Sequence, residues 1–274
     1  MKIKFLGSAA YEGVPSLFCH CEVCRKSKEL GGKNIRTRSQ ALINDDLLID
    51  FCPDTVYHYQ KYGFDFEKVR DCIITHSHSD HLYIDDVEIA APNYANEHSV
   101  FHFYAARSGY DMLTEKCNKT FGGATATLIE AGKRFAVCNG KYSILPLWAN
   151  HEQYTSPVIY SVNQDGKRLL YAHDTGVFPE NTRELLKEEK HFDLISLDCT
   201  GCLGIGRDWR NGHMSLKTNL EMIDFMKSEN LIDEKTVFVA NHFSHNGGQT
   251  YDEMLEEAAK HGIIVSYDGL EIEF

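Results

Sequence analysis

The sequence is poor in proline, with 6 in 274 residues, and no Ser- or Gly-rich stretch reads as a linker. No internal repeat stands out. With no boundary signal of any kind, residues 1–274 are expected to form a single domain. No apolar run approaches the roughly 20 residues that a membrane span needs. The first residues, MKIKFLGSAAYEGV, lack the apolar core of a secretory leader. A cytoplasmic protein with no membrane partner is therefore expected. Positive charge is also short: 28 Lys and Arg stand against 40 Asp and Glu, a net charge of −12. Such a balance argues against bulk nucleic-acid binding. Apolar residues are not short. They make up 43% of the chain and aromatics 11%, enough for a packed core, which excludes disorder. Histidine and cysteine are plentiful, at 14 and 9. In a reducing compartment, clustered Cys reads as metal ligands or free thiols rather than disulfides.

Short apolar runs at 2–6, 71–75, 142–147, 157–162, 168–172, 192–197, 236–240, 263–266 and 270–274 read as strands. Residues 40–51 read as a hairpin turning at Asn44-Asp45-Asp46. Helices are expected at 80–90, 109–117, 179–189, 216–229 and 251–261. In the fourth of these, Leu220, Ile223 and Met226 recur at helical spacing and mark a core face. Hairpins followed by alternating strands and helices predict a layered α/β (α+β) architecture.

One loop dominates the chemistry. His76-Ser77-His78-Ser79-Asp80-His81 places four potential ligands in six residues, directly after a strand. Alternate side chains of an extended segment point the same way, so His76 and His78 can grip one ion. Asp80 and His81 can grip a second beside it. The mixture of imidazole and carboxylate suits Zn²⁺, Mn²⁺ or Fe²⁺.

This motif resembles the signature of the metallo-β-lactamase-fold hydrolases. The resemblance covers nearly the whole chain and implies a four-layer αββα sandwich with metals at one edge. It also implies three more ligands, each following a strand. His151 matches the third imidazole of the first metal, Asp174 the carboxylate bridging both, and His242 the last imidazole of the second. His173 and His245 compete for two of these roles. Asp50, in LLIDF, resembles the family's aspartate that supports the metal loop from behind, where a carboxylate can accept a ligand imidazole's N–H. A solvated turn aspartate is the alternative.

A second cluster, Cys19-His20-Cys21-Glu22-Val23-Cys24, supplies three thiols and leaves one tetrahedral position open for zinc. His245 is the leading fourth ligand and His20 its rival. Cys72 and Cys199 read as core fillers, and Cys202, near a Gly-rich loop, as partly exposed. Gly7-Ser8-Ala9-Ala10, Gly13-Val14-Pro15 and the three Cys, with His242-X-X-His245, resemble the PhnP type of phosphodiesterase. That branch implies a structural Zn²⁺ on Cys19, Cys21, Cys24 and His245, beside two catalytic divalent ions (Mn²⁺ or Zn²⁺). A homodimer is expected from the branch alone. The B protein of pyrroloquinoline-quinone biosynthesis shares the N-terminal signature but tends to have a degraded metal loop, and the loop here is intact.

The same resemblance points to His213, at a Gly-His-X-Ser step, as an acid that protonates the leaving oxygen or steadies the transition state. Ser215 reads as a helix N-cap. Residues 25–38 hold six basic residues against one Glu, and Arg36 or Arg38 is a candidate phosphate contact. The implied function is hydrolysis of a small anionic diester, cyclic and ribosyl-type, by a hydroxide held between two metals, with Asp80 and His213 at the chemistry. Alternatives are the same fold acting on a thioester or lactone, or a protein like the quinone-biosynthesis branch. One departure stands out: Tyr11 and Glu12 replace small residues of the family, and Glu12 is a poor neighbour for an anion.

Overall fold

A computed structural model describes all residues, 1–274. In chain order it runs β1 (Lys2–Gly7), α1 (Glu22–Leu30), β2 (Gln40–Ile43), β3 (Leu47–Ile49), α2 (Thr55–Tyr62), β4 (Asp71–Ile74), β5 (Phe101–Ala105), α3 (Arg107–Cys117) and β6 (Ala124–Leu128). The second half runs β7 (Phe135–Val137), β8 (Tyr142–Trp148), β9 (Val158–Gln164), β10 (Lys167–Ala172), α4 (Glu180–Glu188), β11 (Leu194–Asp198), α5 (Leu216–Ser228), β12 (Val237–Asn241), α6 (Tyr251–Ala259) and β13 (Ile263–Val265). Strand β14 (Leu270–Glu273) then returns to the first sheet. The sheet orders are β14-β1-β2-β3-β4-β5-β6 and β13-β12-β11-β10-β9-β8-β7.

The layers follow from the period of two along each strand. In β1, β2 and β3, residues Ile3, Phe5, Ala41, Ile43, Leu47 and Ile49 point inward to a core shared with Tyr160, Leu169 and Tyr171 of the other sheet. Their neighbours Leu6, Leu42 and Leu48 point outward beneath Leu113 and Cys117 of α3. Likewise Leu170 and Ala172 of β10 pack outward against Leu186 of α4 and Met222 of α5. Both faces of these strands are covered, which is why they read as solid apolar runs. The αββα sandwich expected from the resemblance is the observed fold.

One local expectation changes. The helix expected at 80–90 is only a 3₁₀ turn at Ile84–Ala90. Asp80 and His81 lie outside it because the backbone there is claimed elsewhere. Phe51 N–H donates to His81 O at 2.8 Å, and Tyr83 N–H to Phe51 O at 2.7 Å, bridging this loop to the exit of β3. Helix α2, with the sequence TVYHYQKY, forms from β-branched and aromatic residues that intrinsically favour strand.

Helix α2 also carries a buried titratable group. The Nδ1 atom of His58 lies 2.7 Å from Gln40 Oε1, and Nε2 lies 2.7 Å from Thr37 Oγ1. Burial pushes its pKa down to about 4, against the pull of Asp54. The folded chain thus binds fewer protons than the unfolded chain between that value and the ordinary 6.5. Stability is full above pH 6.5 and falls as pH drops toward 4, by about 2 kcal/mol at pH 5. Denaturation at constant metal load is expected to show this acid loss in the wild type and a flatter profile in His58→Gln. An unchanged profile in the variant would assign the acid sensitivity to other groups.

Candidate metal centre

The site assembles where strands end. Asp50 follows β3, His76 follows β4, His151 follows β8, Asp174 follows β10, Asp198 closes β11 and His242 follows β12. Strands β3 and β4 are parallel, as are β10, β11 and β12, so these ends converge on one edge of the sandwich. Asp50, Asp174 and His242 leave their strands with φ of 68°, 49° and 64°. This left-handed turn is uncommon for a residue with a Cβ and costs each of them about 1 kcal/mol or more.

Two groups of ligand atoms form, each within 4.8 Å: His76, His78 and His151, and Asp80, His81, Asp174 and His242. In the first, His78 Nδ1 lies 2.9 Å from His76 Nε2 and 3.2 Å from His151 Nε2. Nitrogens about 2.0–2.1 Å from a shared cation sit roughly 2.9–3.3 Å apart, so the spacing fits one. In the second, Asp174 Oδ2 lies 2.5 Å from His81 Nε2, 3.2 Å from His242 Nε2 and 3.6 Å from His76 Nε2 of the first group. Both His81 Nε2 and His242 Nε2 are buried without an aligned hydrogen bond. A buried polar atom left unpaired is costly, and a cation between the rings removes that cost. The residues present therefore fit two divalent ions.

Electrostatics agree. Burial opposes charge on His81, yet Asp80, Asp50 and Asp174 outweigh it and hold the ring protonated well above the usual range. Burial likewise opposes His242, but Asp174 and Asp198 push it up to about 10. Burial and the repulsion of His81 hold His76 well below its usual value. The carboxylates thus demand positive charge, which protons supply when no cation does; a binding cation displaces those protons.

Behind the ligands, Asp50 Oδ2 accepts from His81 Nδ1 at 2.7 Å, while Oδ1 accepts the Thr75 backbone N–H at 2.8 Å. Glu152 and Tyr154 meet the far nitrogen of His78 at 3.1 and 3.2 Å. His173 is no ligand: its Nε2 pairs with Ser196 Oγ at 2.7 Å between the sheets. The sequence reading missed Asp198. This fully buried carboxylate accepts the backbone N–H groups of Met214, Thr200 and Asp174 at 2.9–3.1 Å. It also meets His213 Nδ1 at 3.1 Å. The signal was present, since LISLD ends an apolar strand in Asp just as LLID does at Asp50. His213 Nδ1 lies 3.2 Å from Asp174 Oδ1 as well. Burial opposes its protonation, but Asp198 and Asp174 outweigh that and raise its pKa.

The Cys cluster closes on His245, not on His20, which is exposed. His245 Nδ1 is 3.6 Å from Cys19 Sγ and 3.5 Å from Cys21 Sγ. The edge of a tetrahedral zinc site with one sulfur and one nitrogen is about 3.5 Å. Backbone N–H groups of Cys21, Cys24 and Ser16 point at the three sulfurs at 3.4–3.5 Å, as thiolates require. Burial, then the neighbouring Cys21 and Cys19 thiols, push Cys24 up to about 12 against the pull of the Ser16 N–H. Three sulfurs this close cannot all ionise without a cation, so this set also fits one ion.

The profile of the beta-lactamase superfamily domain matches residues 46–234, which include every candidate ligand of the paired groups except His242. The chain belongs to the β-lactamase superfamily. Solved structures with the superfamily fold align along the whole chain. Zn²⁺-bound PqqB from Methylobacterium extorquens has a TM-score of 0.77 at 18% identity, covering 100% of both chains. A diphosphatase of the PhnP family has a TM-score of 0.72 at 20% identity, covering 100% of this chain and 97% of that one. Human tRNase Z, short form, has a TM-score of 0.65 at 15% identity, covering 100% and 99%. Among curated proteins, an octanoyltransferase of Porphyromonas gingivalis (strain ATCC BAA-308 / W83) is 31% identical over 126 residues. That stretch is 44% of this chain and 24% of that protein, so the match spans about a quarter of its relative's length. No helix of this superfamily member is long and apolar enough to cross a membrane.

The ligand groups open into a cavity of about 850 Å³, whose wall includes His213, Tyr11, Glu12, Arg207 and Trp209. Neither arginine expected to contact substrate reaches it. Arg36 is buried, donating to Ser8 Oγ at 2.8 Å and Ser266 O at 2.7 Å, with its guanidinium 4.2 Å over the Phe243 ring. Arg38 pairs with Asp54 at 3.1 Å. Arg207 is the only Lys or Arg on the cavity wall, lying 4.3 Å over the Trp209 ring. Cys202, expected to be partly exposed, is fully buried and packs with Cys199.

Proposed function

We propose that this superfamily member hydrolyses a small phosphate diester, with His76, His78, His151, Asp80, His81, His242 and Asp174 holding two divalent ions. Cys19, Cys21, Cys24 and His245 hold a structural zinc. The observation that carries the reading is the Asp198–His213 pair beside the paired ligand groups. When bound, the two ions lower the pKa of water and neutralise the charge of a phosphoryl group. The protein does the rest. Asp198 accepts from Nδ1–H and favours the protonated ring, so that Nε2 can pass a proton to a departing alkoxide. Asp50 fixes the tautomer and direction of His81. The acidic wall leaves attraction of an anion to the ions and to Arg207. The fold shared with the PhnP-family diphosphatase and tRNase Z supports phosphate chemistry. The second reading is hydrolysis of an acyl thioester in the same site; the match to an octanoyltransferase, over 24% of that protein, brings acyl substrates into the test.

Turnover of a cyclic phosphate diester and of an octanoyl thioester, each with Mn²⁺ or Zn²⁺, separates the two. Sustained diester hydrolysis is expected. Thioester hydrolysis without diester hydrolysis would replace the first reading by the second. His213→Ala is expected to slow an alkyl diester about a hundredfold and a p-nitrophenyl diester far less, because nitrophenolate leaves without a proton. Equal losses on both would remove His213 as the acid.

A further inference from the structure

Glu12 stands between the two ligand sets. It lines the cavity, and its Oε1 accepts from Ser244 Oγ and faces Asn246 Nδ2 at 3.5 Å and His245 Nε2 at 3.6 Å. Those three partners lie on the segment that carries His242 two residues earlier, so the carboxylate is held by the loop joining both candidate sites. Its second oxygen, Oε2, makes no hydrogen bond within the protein, and the side chain remains 23% exposed. The wall thus presents a fixed acceptor beside the metal centre, on a face with no Lys or Arg except Arg207.

We infer that Glu12 is a specificity-determining residue: Oε2 accepts a hydrogen bond from a hydroxyl on the substrate's organic portion. This rests on the phosphodiesterase reading and deepens it. A carboxylate anchored on one oxygen repels a second phosphate at that position and pairs with an O–H or N–H donor. The substrate class is then a diester of a polyol with a free hydroxyl near the scissile phosphate, carrying no further anionic group on that side. An acceptor covered by the bound substrate and left unpaired when the hydroxyl is missing is what generates the discrimination.

Two substrates differing by one hydroxyl test it. Glycerol 1,2-cyclic phosphate has the free hydroxyl, and propane-1,2-diol cyclic phosphate lacks it. The wild type is expected to favour the glycerol compound about tenfold in kcat/KM, mostly through KM. In Glu12→Ala the ratio of the two kcat/KM values falls to about one, with zinc content measured alongside to show that the loop bearing His245 is intact. Glu12→Gln keeps one oxygen for the loop contacts and turns an NH2 donor toward the substrate, so the acceptor at Oε2 is lost and the preference is expected to fall while the loop stays held. A preference unchanged in Glu12→Ala, or an equal loss on both substrates, overturns the inference while leaving the diester reading in place. Failure of the wild type to hydrolyse either compound or any other diester overturns both.

Discussion

Asp174→Ala is expected to abolish diester turnover, by roughly 10³-fold or more, and to lose both catalytic ions while the fold is kept. The carboxylate is the point at which the site meets. His81, His242, His76 and His213 all approach it, at 2.5, 3.2, 3.6 and 3.2 Å. Removing it leaves buried imidazoles facing one another with nothing to balance a pair of cations. Asp50→Asn makes the contrast, since Asp50 touches His81 from behind and an amide still fills its place. Its loss is expected to be about 10–100-fold. Elemental analysis and far-UV circular dichroism beside the kinetics decide the matter. Two retained ions and near-wild-type turnover in Asp174→Ala would remove the bridging role.

The second large effect concerns the cysteines. Cys21→Ser is expected to lower the metal content by one zinc per chain and to lower Tm by about 5–10 °C, for a stability loss of at least about 3 kcal/mol. The substitution is clean in one respect. Cys21 is also the N-cap of α1, accepting from Cys24 N–H, and Ser is a good cap. Any loss therefore reports the metal rather than the helix end. A zinc held there would tie residues 19–24 to His245, more than 200 residues away, so its removal would free the N-terminal segment from the loop bearing His242. Wild-type protein treated with a chelator should fall to the variant's Tm and recover with Zn²⁺, and the variant should not respond. A variant with undiminished zinc and Tm would return the cluster to free thiols.

Legibility in the sequence depended on how local the chemistry is. The loop from His76 to His81 and the three clustered cysteines declare themselves because ligands of one site lie within six residues. Asp174 and His242 became visible only through the resemblance, since a polar residue after a strand is common. Asp198 carried the same strand-ending pattern as Asp50 and went unread because no motif singled it out. The arginines failed for the opposite reason. A basic run looks like a phosphate site until Asp54, Ser266 and Phe243, up to 230 residues distant, fold around Arg36 and Arg38. The helix expected at 80–90 failed because the exit of β3 captured its first turn. The architecture itself was legible, because strands covered on both faces must be solidly apolar.

The left-handed residues at 50, 174 and 242 have a consequence for the protein's history. Each is a position where Gly would ease the backbone, but only by giving up the buried contacts that the side chain makes, so the backbone strain and the site are held together. Backbone ease and ligand placement therefore pull in opposite directions at these three strand exits. Bound ions would reconcile them, by stabilising the folded chain that holds them. A lineage that ceased to bind metal would be free to relax these positions first, and the decay of the site would begin in the backbone.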